Sequence, residues 1–178
     1  YILIKQQDAV GLALFDEQIN KLIPPRSVPS HLNILLSHME SANPGSKTNI
    51  ANALHHSAEE IKKRGLVIVI SDLMDDPHKT IHGLQHLRHK GHEVIVFHIL
   101  DHHELTFDFN ERIKFIDKET GEEITTDPWH IANEYIAHFK KHCDTLKQGC
   151  GHNRIEYVQL LSNQSLDIAL TELLLKRK

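Results

Sequence analysis

The five apolar residues from Leu66 to Ile70 constrain the fold of this chain more than any other segment. The run is continuous and rich in β-branched side chains; Gly65 precedes it, and Ser71 and Asp72 follow it. Such a run is typical of a strand buried on both faces, as in a parallel sheet covered by helices. We therefore predict a buried strand over 66–70, with Asp72 at its carboxyl end.

Further strand-like and helical segments alternate along the chain. The strand-like segments are 9–15, 94–99 and 155–160, the last with the alternation of a half-exposed edge strand. Apolar residues at helical spacing fall in segments 32–39, 50–61, 81–87, 132–146 and 166–174. This order favours an α/β fold with an open, mostly parallel sheet flanked by helices. Residues 18–23 predict a hairpin with the first strand, and the polar, alternating stretch 105–126 predicts a small antiparallel insertion.

Composition limits the class of protein. A chain of 178 residues, 40% hydrophobic and 25% charged, fits a single globular domain over 1–178. The net charge of −4 leaves no basic excess for phosphates, so we expect no nucleic acid partner. No apolar run approaches the roughly 18 residues of a membrane span. Two cysteines cannot form a disulfide framework, so we expect a reducing compartment, the cytoplasm.

Two oxygen-bearing side chains suggest a cation site. Ligands in open parallel sheets bind beyond the carboxyl ends of the strands, where Asp72 is expected. Thr48 lies in segment 44–49, just before a predicted helix, and Asp16 ends the first strand. Carboxylate and hydroxyl oxygens suit a hard cation such as Mg²⁺. Two structural roles stay open beside this one, since Asp72 could accept hydrogen bonds from turn amides and Thr48 could cap the helix.

Several segments together resemble the von Willebrand factor A-like domains, and more closely the C-terminal region of the bacterial family called domain of unknown function fifty-eight. These segments are 8–16, 24–27, 44–50, 69–73 and 127–128. The resemblance covers nearly the whole chain and implies a Rossmann-like, von Willebrand factor A-type sheet. It also implies a metal-ion-dependent adhesion site for Mg²⁺ or Mn²⁺, in which Thr48 and Asp72 match the family's threonine and aspartate.

The chain departs from that pattern in one respect. The resemblance implies a third part of the site, an Asp-x-Ser-x-Ser loop after the first strand, and the sequence contains no such motif. We therefore expect a truncated domain that lacks this strand, with Tyr1 to Gln7 as the tail of the first helix. Two ligands should hold the metal weakly or not at all. Unpaired strand edges should favour a homodimer.

The resemblance further implies a non-enzymatic protein–protein interaction module that works with a MoxR-type AAA+ ATPase. The alternative is a Mg²⁺-dependent phosphoryl or phosphodiester hydrolase that uses Asp72, Asp75 or Asp76. The sequence offers neither a nucleophile–base pair nor a phosphate-binding glycine loop, so the module is the favoured interpretation.

Histidine is unusually abundant, with 16 residues. The pairs 82/86 and 138/142 have the i, i+4 spacing that can bind Zn²⁺ or Ni²⁺, and His89 follows one turn after the first pair. At this abundance such pairs also arise by chance, and no carboxylate or cysteine completes a set. Cys143 falls on an apolar helical stripe and is expected in the core, whereas Cys150 is expected in a loop.

Overall fold

The computed structural model describes residues 1–16, 19–42, 49–109, 113–116, 123–126 and 128–165. The elements in chain order are α1 (Ile2–Lys5), β1 (Val10–Phe15), β2 (Ile19–Arg26), α2 (His31–Glu40), α3 (Ile50–Glu60), β3 (Leu66–Ser71), α4 (Pro77–His89), β4 (Glu93–Leu100), α5 (His102–Thr106), β5 (Ile113–Ile116), β6 (Glu123–Thr126), α6 (Pro128–His152) and β7 (Glu156–Leu161). Some predictions from the sequence concern residues outside this description. They are Thr48, the helix over 166–174 and residue 127 of segment 127–128.

Three parallel strands form the main sheet, in the order β3-β4-β7. Val69 pairs with Val96, and Val96 pairs with Tyr157, so side chains of one face line up across all three strands. The connections run through α4 and α6, which pack on one face together with α3. The predicted α/β fold with a parallel sheet flanked by helices is confirmed, and β7 is an edge strand of the described sheet, as its alternation predicts.

The prediction that segment 66–70 is buried on both faces is wrong. Val69 is buried in the core, but Leu66, Ile68 and Ile70 on the other face are 39%, 41% and 64% exposed. These side chains are exposed because β3 lies at the edge of the described sheet, whereas β4 lies in its middle. The middle strand β4 is buried along nearly its whole length. An apolar run alone does not distinguish these two places.

The first strand belongs to a separate antiparallel hairpin, β1-β2, as predicted for segment 18–23. Gly11 is required there because a Cβ atom would lie 2.8 Å from the Ile23 carbonyl oxygen. The hairpin shares a small core with α1 and α2, formed by Ile4, Ile23 and Leu35. The sheet of the described residues is therefore split, and β1 does not pair with the parallel strands.

The predicted insertion is confirmed as the antiparallel pair β5-β6. Its beginning differs from the prediction, because Leu105 lies in the short helix α5 rather than in a strand. Asp101 and Glu104 form a reciprocal capping box that starts this helix one residue after β4. The insertion thus follows the middle strand directly.

Helices α3 and α4 begin with side-chain caps. Asn49 accepts a hydrogen bond from the Asn52 amide, and Asp76 accepts from the His78 and Lys79 amides. Pro77 occupies the first turn of α4, where its missing N–H is not needed. None of the described helices has the length and apolar character that crossing a bilayer requires.

Candidate functional site

The turn that follows β3 places the carboxylate of Asp72 at the carboxyl edge of the sheet. Asp72 is exposed, whereas Leu73 is fully buried and has a left-handed backbone with φ of 52°. The Leu73 amide donates to Ser71 Oγ at 3.1 Å, and the Asp75 amide donates to the Leu73 carbonyl at 2.9 Å. A left-handed leucine is strained, so burial of its side chain and these hydrogen bonds must hold the turn in place.

Two histidines from other elements donate to successive carbonyls of this turn. His98 on β4 donates through Nε2 to the Asp72 carbonyl oxygen at 2.7 Å. His142 on α6 donates through Nε2 to the Leu73 carbonyl oxygen at 3.1 Å. A carbonyl oxygen can only accept, so both rings carry a proton on Nε2. Hydrogen bonds from β4 and from α6 therefore hold the backbone of the turn that carries the Asp72 carboxylate.

His98 continues into a chain of polar side chains on β7. Because Nε2 of the neutral ring carries the proton, Nδ1 is an acceptor. It accepts a hydrogen bond from the Tyr157 hydroxyl at 2.5 Å. Gln159 donates to the same hydroxyl at 3.2 Å. His98 is fully buried, and this burial lowers its pKa, while burial raises the pKa of Tyr157. Both groups are neutral near pH 7, and their role is to position the turn.

This histidine chain is not predicted from the sequence, in which His98 stands out only as one residue of an apolar strand. A signal does exist, since a lone histidine near the carboxyl end of a buried strand needs a polar partner. The register that pairs Ser71 with His98 places this ring beside the Asp72 turn, but a register is not visible in the sequence.

The pairing of Thr48 with Asp72 stays a prediction, because Thr48 lies outside the described residues. Its neighbour Asn49 donates through its backbone amide to the Asp16 carbonyl at 3.2 Å, at the end of β1. Asn49 also lines a cleft of about 470 Å³ with His78 and Lys79 of the first turn of α4. The start of α3 therefore lies beside the start of α4, which follows the Asp72 turn in sequence.

The other acidic candidates have structural roles. Asp76 caps α4, and its hydrogen bonds from the His78 and Lys79 amides lower its pKa. One carboxylate oxygen of Asp75 accepts the Asp76 amide at 2.7 Å. The carboxylate of Asp72 accepts only long hydrogen bonds to Oδ1, at 3.3 and 3.4 Å, among the described residues. Asp72 is thus the acidic group of this edge that is best placed to meet a ligand.

In the part of the chain that the structure describes, no group of three or more His, Cys, Asp or Glu side chains has an arrangement that could hold a metal ion, and this includes the two histidine pairs. His138 is exposed and lies 3.8 Å from Glu134, while His142 is engaged with the Leu73 carbonyl. His82 and His86 both lie beside a third histidine, His55 on α3.

Both cysteines are buried in α6. The expectation for Cys143 is confirmed, but the expected loop position of Cys150 is wrong, because α6 continues to His152. Burial raises the pKa of the Cys143 thiol and raises that of Cys150 to about 12. Neither thiol has the lowered pKa that a nucleophile needs.

Comparisons with known proteins agree with this fold. The family model described as "Protein of unknown function DUF58" matches residues 1–144. The structure is similar to that of the conserved hypothetical protein BatB from Bacteroides thetaiotaomicron, with 16% identity, a TM-score of 0.58, and coverage of 98% of this chain and 82% of that chain. It is also similar to an aerotolerance-related membrane protein from Bacteroides fragilis NCTC 9343 whose structure carries multiple mutations to serines, with 17% identity, a TM-score of 0.51, and coverage of 98% and 83%. At these identities the likeness is one of fold, and no curated protein matches the chain.

Proposed function

Because the chain belongs to the DUF58 family, we propose that it is a non-enzymatic protein–protein interaction module with a von Willebrand factor A-type fold. Its working surface is the carboxyl edge of the parallel sheet around Asp72. The observation that carries this proposal is the exposed carboxylate on a turn whose two carbonyls are held by His98 and His142. A rigid backbone with an exposed charge suits recognition, because little conformational entropy is lost on binding.

The chemistry of the turn suits a divalent cation. The Asp72 carboxylate has an oxygen, Oδ2, that makes no hydrogen bond within the described residues, and Mg²⁺ or Mn²⁺ prefers such oxygen ligands. Asp72 would be one ligand and the Thr48 hydroxyl a second. When bound, the cation would offer an open position to a carboxylate of the partner. Two protein ligands hold such an ion weakly, so the partner would complete the site.

An apolar strip borders this carboxylate. It consists of Leu66, Ile68 and Ile70 on one face of β3, together with Met74, which follows the Asp72 turn in sequence; the four side chains are between 39% and 64% exposed. The strip offers at most a few hundred Å², well below the roughly 800 Å² per partner of a standard stable interface. A homodimer through the β3 edge alone is therefore disfavoured. We propose instead that a MoxR-type AAA+ ATPase contacts the strip and the Asp72 turn together.

The test is titration of the intact protein with its cognate MoxR-type ATPase in the presence of Mg²⁺, followed by calorimetry. We expect Asp72→Ala and Ile70→Lys each to weaken binding by at least tenfold. Asp8→Ala, which removes an exposed carboxylate beyond α1, serves as the matched control and should bind like the wild type. Equal affinity of Asp72→Ala and wild type would contradict the proposal.

Two further readouts separate the alternatives. Light scattering that gives twice the chain mass for the wild type, and a single chain mass for Ile68→Lys, would favour a second copy as the occupant of the β3 edge. Metal-dependent turnover of a phosphate ester, abolished in Asp72→Ala, would replace the module by the hydrolase.

A further inference from the structure

Three histidines meet between α3 and α4, away from the Asp72 turn. His55 on α3 lies between two histidines of α4, with its Nδ1 3.0 Å from His86 Nδ1 and its Nε2 3.3 Å from His82 Nδ1. The His86 ring also meets α3 a second time, since its Nε2 lies 3.0 Å from Glu59 Oε1. The four side chains form one line from the exposed His82 to the carboxylate of Glu59.

Hydrogen bonding fixes the tautomers of this line. A carboxylate only accepts, so His86 Nε2 carries a proton and, in a neutral ring, His86 Nδ1 is an acceptor. His55 must then donate through Nδ1, which makes His55 Nε2 the acceptor of an N–H on His82 Nδ1. In the neutral state every bond of the line therefore points from His82 towards Glu59, and each ring carries one proton.

We propose that His82, His55 and His86 are a proton relay that links the packing of α3 against α4 to pH. When His82 takes up one proton at Nε2, on its exposed side, the direction of both His–His hydrogen bonds is reversed. His82 Nδ1 becomes an acceptor, His55 donates through Nε2, and His86 carries both protons. No hydrogen bond is lost, and the added charge rests beside Glu59.

A second proton has a different effect. Any further protonation leaves two N–H groups facing each other across one of the His–His contacts, so a hydrogen bond between the helices is lost and two cations are brought together. The relay therefore binds one proton without losing a hydrogen bond, and the second proton breaks a hydrogen bond between α3 and α4.

The surrounding charges are consistent with these two steps. Lys90, which directly follows α4, donates to Glu59 at 2.9 Å, while His78 and Lys79 of α4 line the cleft beside His55 and His82. From α3, His56 lies 3.8 Å from Glu60, and after α3 Lys62 donates to the Glu59 backbone carbonyl at 2.7 Å. Helix α6 packs against α4, and β1 and β2 contact α3; no charged group of these elements acts on His55 among the described residues.

Burial, followed by the charges of His86 and His82, holds the pKa of His55 below its ordinary value of 6.5. The unfolded chain then binds this proton more readily than the folded one. A doubly protonated His55 ring arises only in the second of the two steps, so the contribution of the contact to stability is complete above pH 6.5 and is lost as the pH falls from there through the lowered pKa of His55. The inference stands apart from the proposed function, because none of these residues belongs to the Asp72 turn.

The first test is nitrogen-15 NMR of the imidazole rings in the intact protein. At pH 7.5 we expect N–H on Nδ1 of His55 and His82 and on Nε2 of His86, and below pH 6 the His55 proton should move to Nε2. A single Nε2–H tautomer for His55 across the whole range would overturn the relay. This measurement needs no substitution.

The second test compares two variants by thermal unfolding at pH 7.5 and pH 5.0. His55→Gln removes the centre of the relay on α3, and His89→Gln removes an exposed histidine in the last turn of α4 that takes no part in the relay. We expect the loss of Tm between the two pH values to be at least halved in His55→Gln and unchanged in His89→Gln. An equal loss of Tm in both variants would also overturn the relay.

Discussion

Replacing His98 by phenylalanine tests whether this ring positions the Asp72 turn. The substitution keeps an aromatic ring in the middle strand but removes the hydrogen bonds to the Asp72 carbonyl at 2.7 Å and from the Tyr157 hydroxyl at 2.5 Å. Each buried partner left unsatisfied costs about 1–3 kcal/mol. The greater apolar surface of phenylalanine offsets part of this loss. We therefore expect the free energy of unfolding to fall by about 2–4 kcal/mol.

Urea denaturation at pH 7.5 measures this change, and a double-mutant cycle assigns it. Tyr157→Phe removes only the outer hydrogen bond and should cost about 1–2 kcal/mol. In the Tyr157→Phe background, His98→Phe should cost about 1 kcal/mol less than in the wild type, since one partner is already absent. His89→Phe, at an exposed position, controls for the added ring. A cost of His98→Phe no larger than that of Tyr157→Phe would refute the reasoning.

Three further predictions concern stability. His92→Leu should raise the free energy of unfolding by about 1 kcal/mol in urea denaturation, because neither nitrogen of this buried ring has a hydrogen-bond partner among the described residues; a loss of stability would argue against this. Gly149→Ala should lower the Tm, since a Cβ there would overlap an isoleucine of α4, whereas Gly151→Ala in the same helix meets open space and should raise it; equal shifts would contradict the packing argument. Asp76→Ala should lower the Tm at pH 6, and because amide donors hold the pKa of this carboxyl below 3.8, the difference from wild type should disappear as the pH falls through that lowered value; a difference independent of pH would exclude the cap as its cause.

The parallel sheet could be predicted because local patterns determine it. The β-branched runs at 66–70 and 94–99 and the helical stripes between them alternate in a way that few folds accommodate. The place of each strand within the sheet could not be predicted. Ile70 and Val96 belong to equally apolar runs, yet one is 64% exposed and the other fully buried, because burial depends on which strands lie alongside.

In the candidate site, too, local features could be predicted from the sequence, but contacts between distant residues could not. The position of Asp72 directly after a strand could be predicted from the sequence, and so could the cap at Asp76, from the Asp-Pro sequence that starts α4. The roles of His98 and His142 depend on contacts between residues 26 and 69 positions apart, and the sequence pattern does not show which residues make these contacts. The same holds for the meeting of His55 with His86, which requires the packing of α3 against α4.

The single imidazole of His98 joins the backbone after one outer strand to a side chain of the opposite outer strand. A local fluctuation that frees the Asp72 turn must therefore also disturb the interior of the sheet. We therefore expect amide hydrogen exchange in this turn to be slower than in a surface loop that only its own hydrogen bonds hold.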